Sequence, residues 1–371
     1  MAEDLEREKL ERLLGFLEQD PDNSALLRDA AQAAMVANEP AQVASLLARL
    51  GEAGAAEDGD RNLAAIAMMR SGRLREAAEE FERLLAASPE DQALKFNLAW
   101  ARAMAKDFAG ARELLDDVLT QHLPQAALLD VQLRHDAGEF EEAAVKARAY
   151  LTCHADYPPL LAAVSVLALD VEDEELARQC AEKAGGHPDA LTTLGTLTLG
   201  EMEHANARAM FEQALAINDR SPRAWVGLGL AHMAAGEGVR AGEVLDKGAE
   251  LFEDHLGTWL AAGWAYLVAN DPESARERFE HALQLDPNFA ESHGSLAVMD
   301  MLVGDRESAE RRVEIALRLD RACFSAAFAK VLMESAEGNA QKAQRIIDIA
   351  LNQPLDGKGR TIGAALARLG R

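Results

Sequence analysis

Apolar residues recur at helical spacing through most of this chain. Leu10, Leu13, Leu14 and Leu17 make one stripe on an otherwise charged segment, which predicts a short amphipathic helix near the N-terminus. Farther on, Ala207, Phe211 and Ala214 stand out from the polar residues of 207–214, and Ala275, Phe279 and Ala282 do the same in 275–282. Each set marks one face of a helix. Ala is the commonest residue and a strong helix former, so the reading is all-α.

The pattern repeats. Trp225-Val226-Gly227-Leu228-Gly229 returns thirty-four residues later as Trp259-Leu260-Ala261-Ala262-Gly263, continued by Trp264-Ala265-Tyr266. The segment closing with Asp286-Pro287 follows at the matching distance. A ruler of that length places ten units at 24–57, 58–91, 92–123, 124–157, 158–187, 188–221, 222–255, 256–289, 290–323 and 324–357. One column reads Val43, Ala77, Ala111, Ala143, Ala177, Ala207, Ala241, Ala275, Ala309 and Ala343. A small residue held at one register through ten units is the mark of a repeat array. The chain resembles the tetratricopeptide repeat family, whose units read W-x2-L-G-x2-Y, then A-x3-F, then a closing Pro.

That resemblance implies a right-handed α-solenoid superhelix of antiparallel helix pairs. Small residues such as Gly229, Gly263, Ala241 and Ala275 let paired helices approach, and Trp225, Trp259, Tyr266, Phe81, Phe211 and Phe279 fill the gaps. Gly72, Gly138, Gly236 and Gly304 stand where first helices should end, and Pro89 and Pro287 where second helices stop. No unit buries its apolar face alone, so stability comes from stacking.

The organisation expected is an N-terminal capping helix (1–23), units one to four (24–157), units five to ten (158–357) and a basic C-terminal capping helix (358–371). Two units fall short of thirty-four residues, and the second of these, with Gly185-Gly186-His187-Pro188, places a joint within 158–187. The stretch from Gly51 to Asp60 reads as a loose acidic connection. Units 188–323 follow the family pattern best.

Charge narrows the partners. Against 38 Lys+Arg stand 63 Asp+Glu, a formal net charge of -25, which disfavours nucleic-acid phosphates and anionic membrane surfaces. No apolar run is long enough to insert in a membrane. Three scattered cysteines (Cys153, Cys180, Cys323) fit a reducing compartment, and the acidic first residues lack the apolar core of a secretory signal, so a cytoplasmic protein is expected. The ends differ from the rest, since Lys358, Arg360, Arg368 and Arg371 concentrate positive charge beside Ile362, Leu366 and Leu369. That tail is read either as a cap or as a means of self-association.

No catalytic constellation emerges. Cys153-His154 with Cys180 and His187 fits no zinc spacing, Glu172–Glu175 reads as a solvated helix start, and Cys323 has no histidine beside it. Phosphate-cradling and nucleophile-elbow motifs are missing. The expectation is a non-enzymatic protein without metal or cofactor.

In the resembled family, first helices line a concave groove. Carried onto this sequence, that geometry offers Asn97 and Trp100 early, with Arg28, Gln32, Asn62 and Ile66 before them. Later come Val226, Leu230 and Met233, then Leu260, Trp264 and Leu267, then Met301 and Phe328, with Thr192, Thr196, Val298 and Leu332 beside them. The family's carboxylate clamp is missing its cations, since Gln125 and Leu129 hold those positions. The later lining is apolar instead, suited to an amphipathic or basic segment of another protein. The function implied is a scaffold, adaptor or chaperone-like holder, of the kind that serves bacterial secretion, pilus or envelope assemblies. The alternative is the regulatory subunit of a separately encoded enzyme.

Overall fold

The computed structural model describes residues 2–252 and 255–352. The basic tail expected at 358–371, with the self-association read from it, lies outside the described residues. Every regular element among the described residues is an α-helix. The chain divides into two compact bodies, Met1–Val171 and Glu172–Arg371.

In the N-terminal body, α1 (Ala2–Gln19) is followed by α2 (Ser24–Val36) with α3 (Pro40–Glu52), and α4 (Asp58–Arg70) with α5 (Leu74–Ala87). Next come α6 (Gln92–Met104), the short α7 (Phe108–Leu114) and α8 (Asp117–His122), then α9 (Pro124–Asp136), α10 (Phe140–Cys153) and α11 (Pro158–Asp170). The C-terminal body opens with α12 (Glu174–Ala184), then α13 (Pro188–Gly200) with α14 (His204–Ile217), and α15 (Pro222–Ala234) with α16 (Gly238–Phe252). It continues with α17 (Leu256–Val268) and α18 (Pro272–Leu285), α19 (Ala290–Leu302) and α20 (Arg306–Leu319), and α21 (Phe324–Ala336) and α22 (Ala340–Leu351). Within each body these are helix pairs packed antiparallel in sequence order, the architecture of a tetratricopeptide-like solenoid.

The small-residue column explains the pairing. All ten of its members, from Val43 to Ala343, are buried, because a larger side chain there would push the second helix off the first. Apolar residues a turn away complete each layer; Phe81, Phe211 and Phe279 are fully enclosed. At the N-terminus the leucine stripe of α1 packs onto α2 and α3, with Leu10 and Leu17 buried among Leu27, Leu46 and Leu50.

First helices end in one way throughout. The residue that reverses the chain has positive φ in every repeat. Glycine supplies it at Gly72, Gly138, Gly236, Gly304 and Gly338, whereas Asn38, Lys106, Glu172, Met202 and Asn270 adopt φ between 57° and 71°. Only glycine adopts that region without steric cost. Where both helices lie in one body, the turn is therefore imposed by the packing of the two helices it joins, and the residue in it conforms.

Two expectations need correction. The acidic stretch 51–60 is ordered: α3 runs to Glu52, and Glu57 and Asp60 form a capping box at the start of α4. Arg28 fixes it from α2, donating to Asp60 at 3.0 Å, Glu57 at 2.8 Å and the Ala55 carbonyl at 2.7 Å. The second helix of unit 92–123 is also not continuous. Asp116 accepts a hydrogen bond from the Leu119 amide at 2.8 Å, caps α8 and ends α7 two residues earlier. In unit 158–187 the shortening has another cause, since α12 has 11 residues and stops at Gly185, whose φ is 62°.

Candidate partner-binding surface

The C-terminal body sets the geometry of the apolar first-helix residues. Its key element is α19, whose residues from Gly294 to Asp300 are all buried. Small side chains make this burial achievable. A Cβ added at Gly294 would lie 2.6 Å from the Ala326 amide nitrogen, so the backbones of α19 and α21 are in direct contact. Ser295 Oγ donates to Ser325 Oγ at 3.2 Å, and Glu291 caps α21 by accepting from the amides of Phe324 at 2.6 Å and Ser325 at 3.1 Å.

With α19 sunk, α17 and α21 come within reach of each other. The Trp264 ring lies 6.1 Å from Phe328 and 5.5 Å, nearly edge-on, from Phe279. Leu267, Met301 and Leu332 join Trp264 against a floor of Val298, Val313, Ala329 and Met333. All four of these upper residues are half-buried, and Phe328 keeps 38% of its surface exposed. The result is one apolar cluster, spread over three first helices and partly open to solvent.

Other expected groove residues are placed differently. Leu260 is 7% exposed and packs with Phe279, Leu296 and Met299, so it is core and is withdrawn from the surface. Its position on α17 turns it toward α18. Val298, at 1%, is floor for the same reason that α19 is sunk. Val226 and Met233 are half-buried against Ala241, Leu245, Ala262 and Ala265, apart from the Trp264 cluster, and Leu230 is half-exposed. In the N-terminal body, Asn97 is half-buried, and Trp100 stands edge-on to Phe96 at 5.6 Å with its indole N–H directed at the Met104 sulfur. Arg28 is committed to its acidic partners. Thr192 is buried and donates back to the Pro188 carbonyl.

Sequence reading missed Val268 and Leu302, exposed by 71% and 55%, and their neighbour Val303 at 69%. The signal was present: Val268 follows Trp264 by four residues and Leu302 follows Val298 by four, so they continue the same helix faces.

Charges near the cluster are held in pairs. Asp300 accepts from Arg276 and Arg312, each at 2.9 Å. Asp246 accepts from Arg278 at 2.8 Å and from the Tyr266 hydroxyl at 2.8 Å, and burial with this carboxylate pushes the Tyr266 phenol up to about 12. Burial likewise raises the Cys323 thiol to about 12 and Cys180 to about 11, far from the thiolate a nucleophile requires. Among the described residues, no three His, Cys, Asp or Glu side chains converge to hold a metal ion, and no helix is long and apolar enough to cross a membrane.

Tetratricopeptide repeat models match residues 68–134, 198–262 and 256–289. These segments are tetratricopeptide repeats. Similar solved structures include Pseudomonas aeruginosa pilF, with 18% identity and a TM-score of 0.46, covering 54% of this chain and 94% of that one. The Cut9–Hcn1 hetero-tetramer of the APC/C is 14% identical with a TM-score of 0.48, covering 92% and 60%. A tetratricopeptide repeat protein of Parabacteroides merdae ATCC 43184 is 14% identical with a TM-score of 0.39, covering 71% and 93%. No curated protein matches the sequence. The general role that goes with these repeats is that of a scaffold for protein–protein interaction.

Proposed function

We propose that this scaffold acts as an adaptor or chaperone-like holder. On this reading it captures a segment of another protein on the first-helix surface formed by Trp264, Leu267, Met301 and Phe328. The observation that carries this reading is the half-open apolar cluster across α17, α19 and α21, with Phe328 the most exposed of the four. Covering three or four large apolar side chains contributes about 1.5–3 kcal/mol each before ordering costs, enough for a usable site. Leu230 and Met233 on α15, and Asn97 and Trp100 on α6, offer separate contacts. An amphipathic helix with Lys or Arg along its polar edge suits an acidic chain, and the charge acts mainly on association rate and selectivity. Assembly of bacterial secretion, pilus or envelope machinery is the setting the family resemblance implies.

The test is affinity capture from the native host with wild type and Phe328→Asp as parallel baits. Circular dichroism of both checks that the fold is retained. A protein recovered by wild type and lost with Phe328→Asp is the expected result. Identical partners on both baits would remove this surface from consideration. Trp264→Glu is the less clean variant, because Trp264 also packs on Phe279 and its loss disturbs the core.

A further inference from the structure

Three cations of the N-terminal body break the rule of their positions. The residue before a second helix is Asp, Glu or Asn in every unit but one, where Arg73 precedes α5. Two residues farther on, α5 carries Arg75 where the other second helices carry Ala, Val, Glu or Gln. The turn residue of positive φ is Lys106 between α6 and α7, and in the other units it is Gly, Asn, Glu or Met. All three cations line one open cavity of about 430 Å³, between residues 72–76 and 104–106.

Their charge is not cancelled from within. Arg73 donates to both oxygens of Glu76, at 2.8 and 2.5 Å, and Glu76 is the one acid in the cavity wall. Asp107, next to Lys106, is held by its own helix, where it caps the Gly110 amide at 3.0 Å, and it pairs with Arg102 at 3.9 Å. Arg75 and Lys106 are both exposed, and among the described residues neither side chain has a hydrogen-bond or ion-pair partner. Two positive charges are therefore left over, in a chain whose net charge is -25. Like charges gathered at one cavity repel, and a bound anion removes that repulsion. Because both side chains are exposed, their charged ends are within reach of a ligand there.

The size of the leftover charge selects the ligand. A carboxylate brings one negative charge and leaves one cation unmatched. A phosphate monoester carries about 1.5–2 negative charges at neutral pH, the amount that Arg75 and Lys106 balance. A guanidinium fork also pairs with phosphate oxygens two at a time, and an ammonium adds a point charge. The cavity is open, so a phosphoryl group can enter alone or on the end of a side chain. We propose that the cavity between the start of α5 and the end of α6 binds a phosphate dianion, held by Arg75 and Lys106 with Arg73 beside them. Neither the residues nor the chemistry are those of the Trp264 surface. On a partner's side chain, such a group would make capture depend on phosphorylation.

The probes are N-acetyl-O-phospho-L-serinamide, inorganic phosphate and the α-amide of N-acetyl-L-aspartate. Each is titrated at constant ionic strength into the full chain carrying nitrogen-15 arginine, and the Arg73 Nε resonance reads binding. At about pH 7.5 the phosphoserine amide should bind about tenfold tighter than the aspartate amide, because its second charge gains from both cations. At about pH 5 that preference should fall below about twofold, since phosphate takes up its second proton near pH 6 and neither Arg75 nor Lys106 titrates there. This comparison needs no variant. The double variant Arg75→Gln, Lys106→Asn should bind the two amides alike at either pH. Its replacements are residues the chain carries at the same places, Gln341 and Asn38, so the fold is retained. Inorganic phosphate bound at least as tightly as the phosphoserine amide would make free phosphate the ligand, and tighter binding of the amide would make it a phosphorylated side chain. Equal affinity for the two amides at about pH 7.5 would overturn the assignment. So would a preference that survives acid or the double variant, or an Arg73 resonance that the phosphoserine amide leaves unmoved.

Discussion

The two bodies use the same helix pairs but close them differently. In the C-terminal body, glycine faces an aromatic ring: a Cβ at Gly263 would fall 2.4 Å from the Phe279 ring, and one at Gly227 would fall 2.3 Å from Phe211. In the N-terminal body, Ala65 and Phe81 occupy the positions of Gly263 and Phe279, both with no exposed surface. One methyl is thus accommodated in the first body and excluded from the second. Glycine at such positions permits closer helix approach, and at Gly294 it lets the backbones of α19 and α21 touch, which goes with Trp264 standing near Phe328. The surface proposed for partner capture therefore goes with the glycine contacts of the C-terminal body, where the N-terminal body has Ala65 against Phe81.

Gly294→Ala should have the largest effect. The added carbon would meet backbone of α21, which has no rotamer by which to yield, so a loss of about 3 kcal/mol is expected, at the upper end for overpacking. Urea unfolding measures it, and loss of partner capture should accompany it because α21 is displaced. A stability within 0.5 kcal/mol of wild type, roughly the noise of a neutral surface change, would show that the contact between α19 and α21 is not what fixes the cluster.

A reciprocal exchange sharpens the comparison at smaller magnitude. Gly263→Ala gains helix propensity yet should still destabilise by about 1–2 kcal/mol, since Phe279 must shift. Ala65→Gly should also destabilise by about 1–2 kcal/mol, from lost propensity and a lost buried methyl. If both positions preferred alanine, the two bodies would not differ in the spacing of their helices.

Smaller again is Met202→Gly in the turn between α13 and α14. Met202 holds φ at 71°, where a side chain costs about 1–2 kcal/mol, and part of the relief is offset by the greater freedom of glycine in the unfolded chain. A net gain of about 0.5–1 kcal/mol is expected from thermal or urea unfolding. No gain would mean that the turn imposes no strain.

What was legible in the sequence is what repeats. The column from Val43 to Ala343 and the leucine stripe of α1 state their own burial, because small or apolar residues at helical spacing have one stable placement. The glycine turns were readable, but Lys106 and Met202 carry no mark of the conformation the packing imposes on them. Leu260 and Val298 misled for a related reason. Hydropathy says that a residue is apolar but not which neighbour covers it, and α19 is buried by serine, glycine and alanine, which no apolar stripe announces.

The break between α7 and α8 gives the smallest test, and it turns on protonation. Asp116 is held below the usual aspartate range, chiefly by its hydrogen bond from Lys95 and next by the Leu119 amide. Its carboxylate is therefore favoured in the folded chain more than in the unfolded one. The stability it contributes is complete above the unfolded aspartate value, near pH 4, and is lost as pH falls through the lower folded value. Because its side chain is 47% exposed, solvent screening limits the contribution to a few tenths of a kcal/mol. Protection of the Leu119 amide, after correction for the intrinsic exchange rate at each pH, should fall by less than about twofold between about pH 4 and pH 2 in wild type. In Asp116→Asn, which keeps an oxygen for the cap but no charge, that acid dependence should be lost. An unchanged acid profile in the variant would assign the break to the chain geometry around Leu115 and remove the charge from its cause.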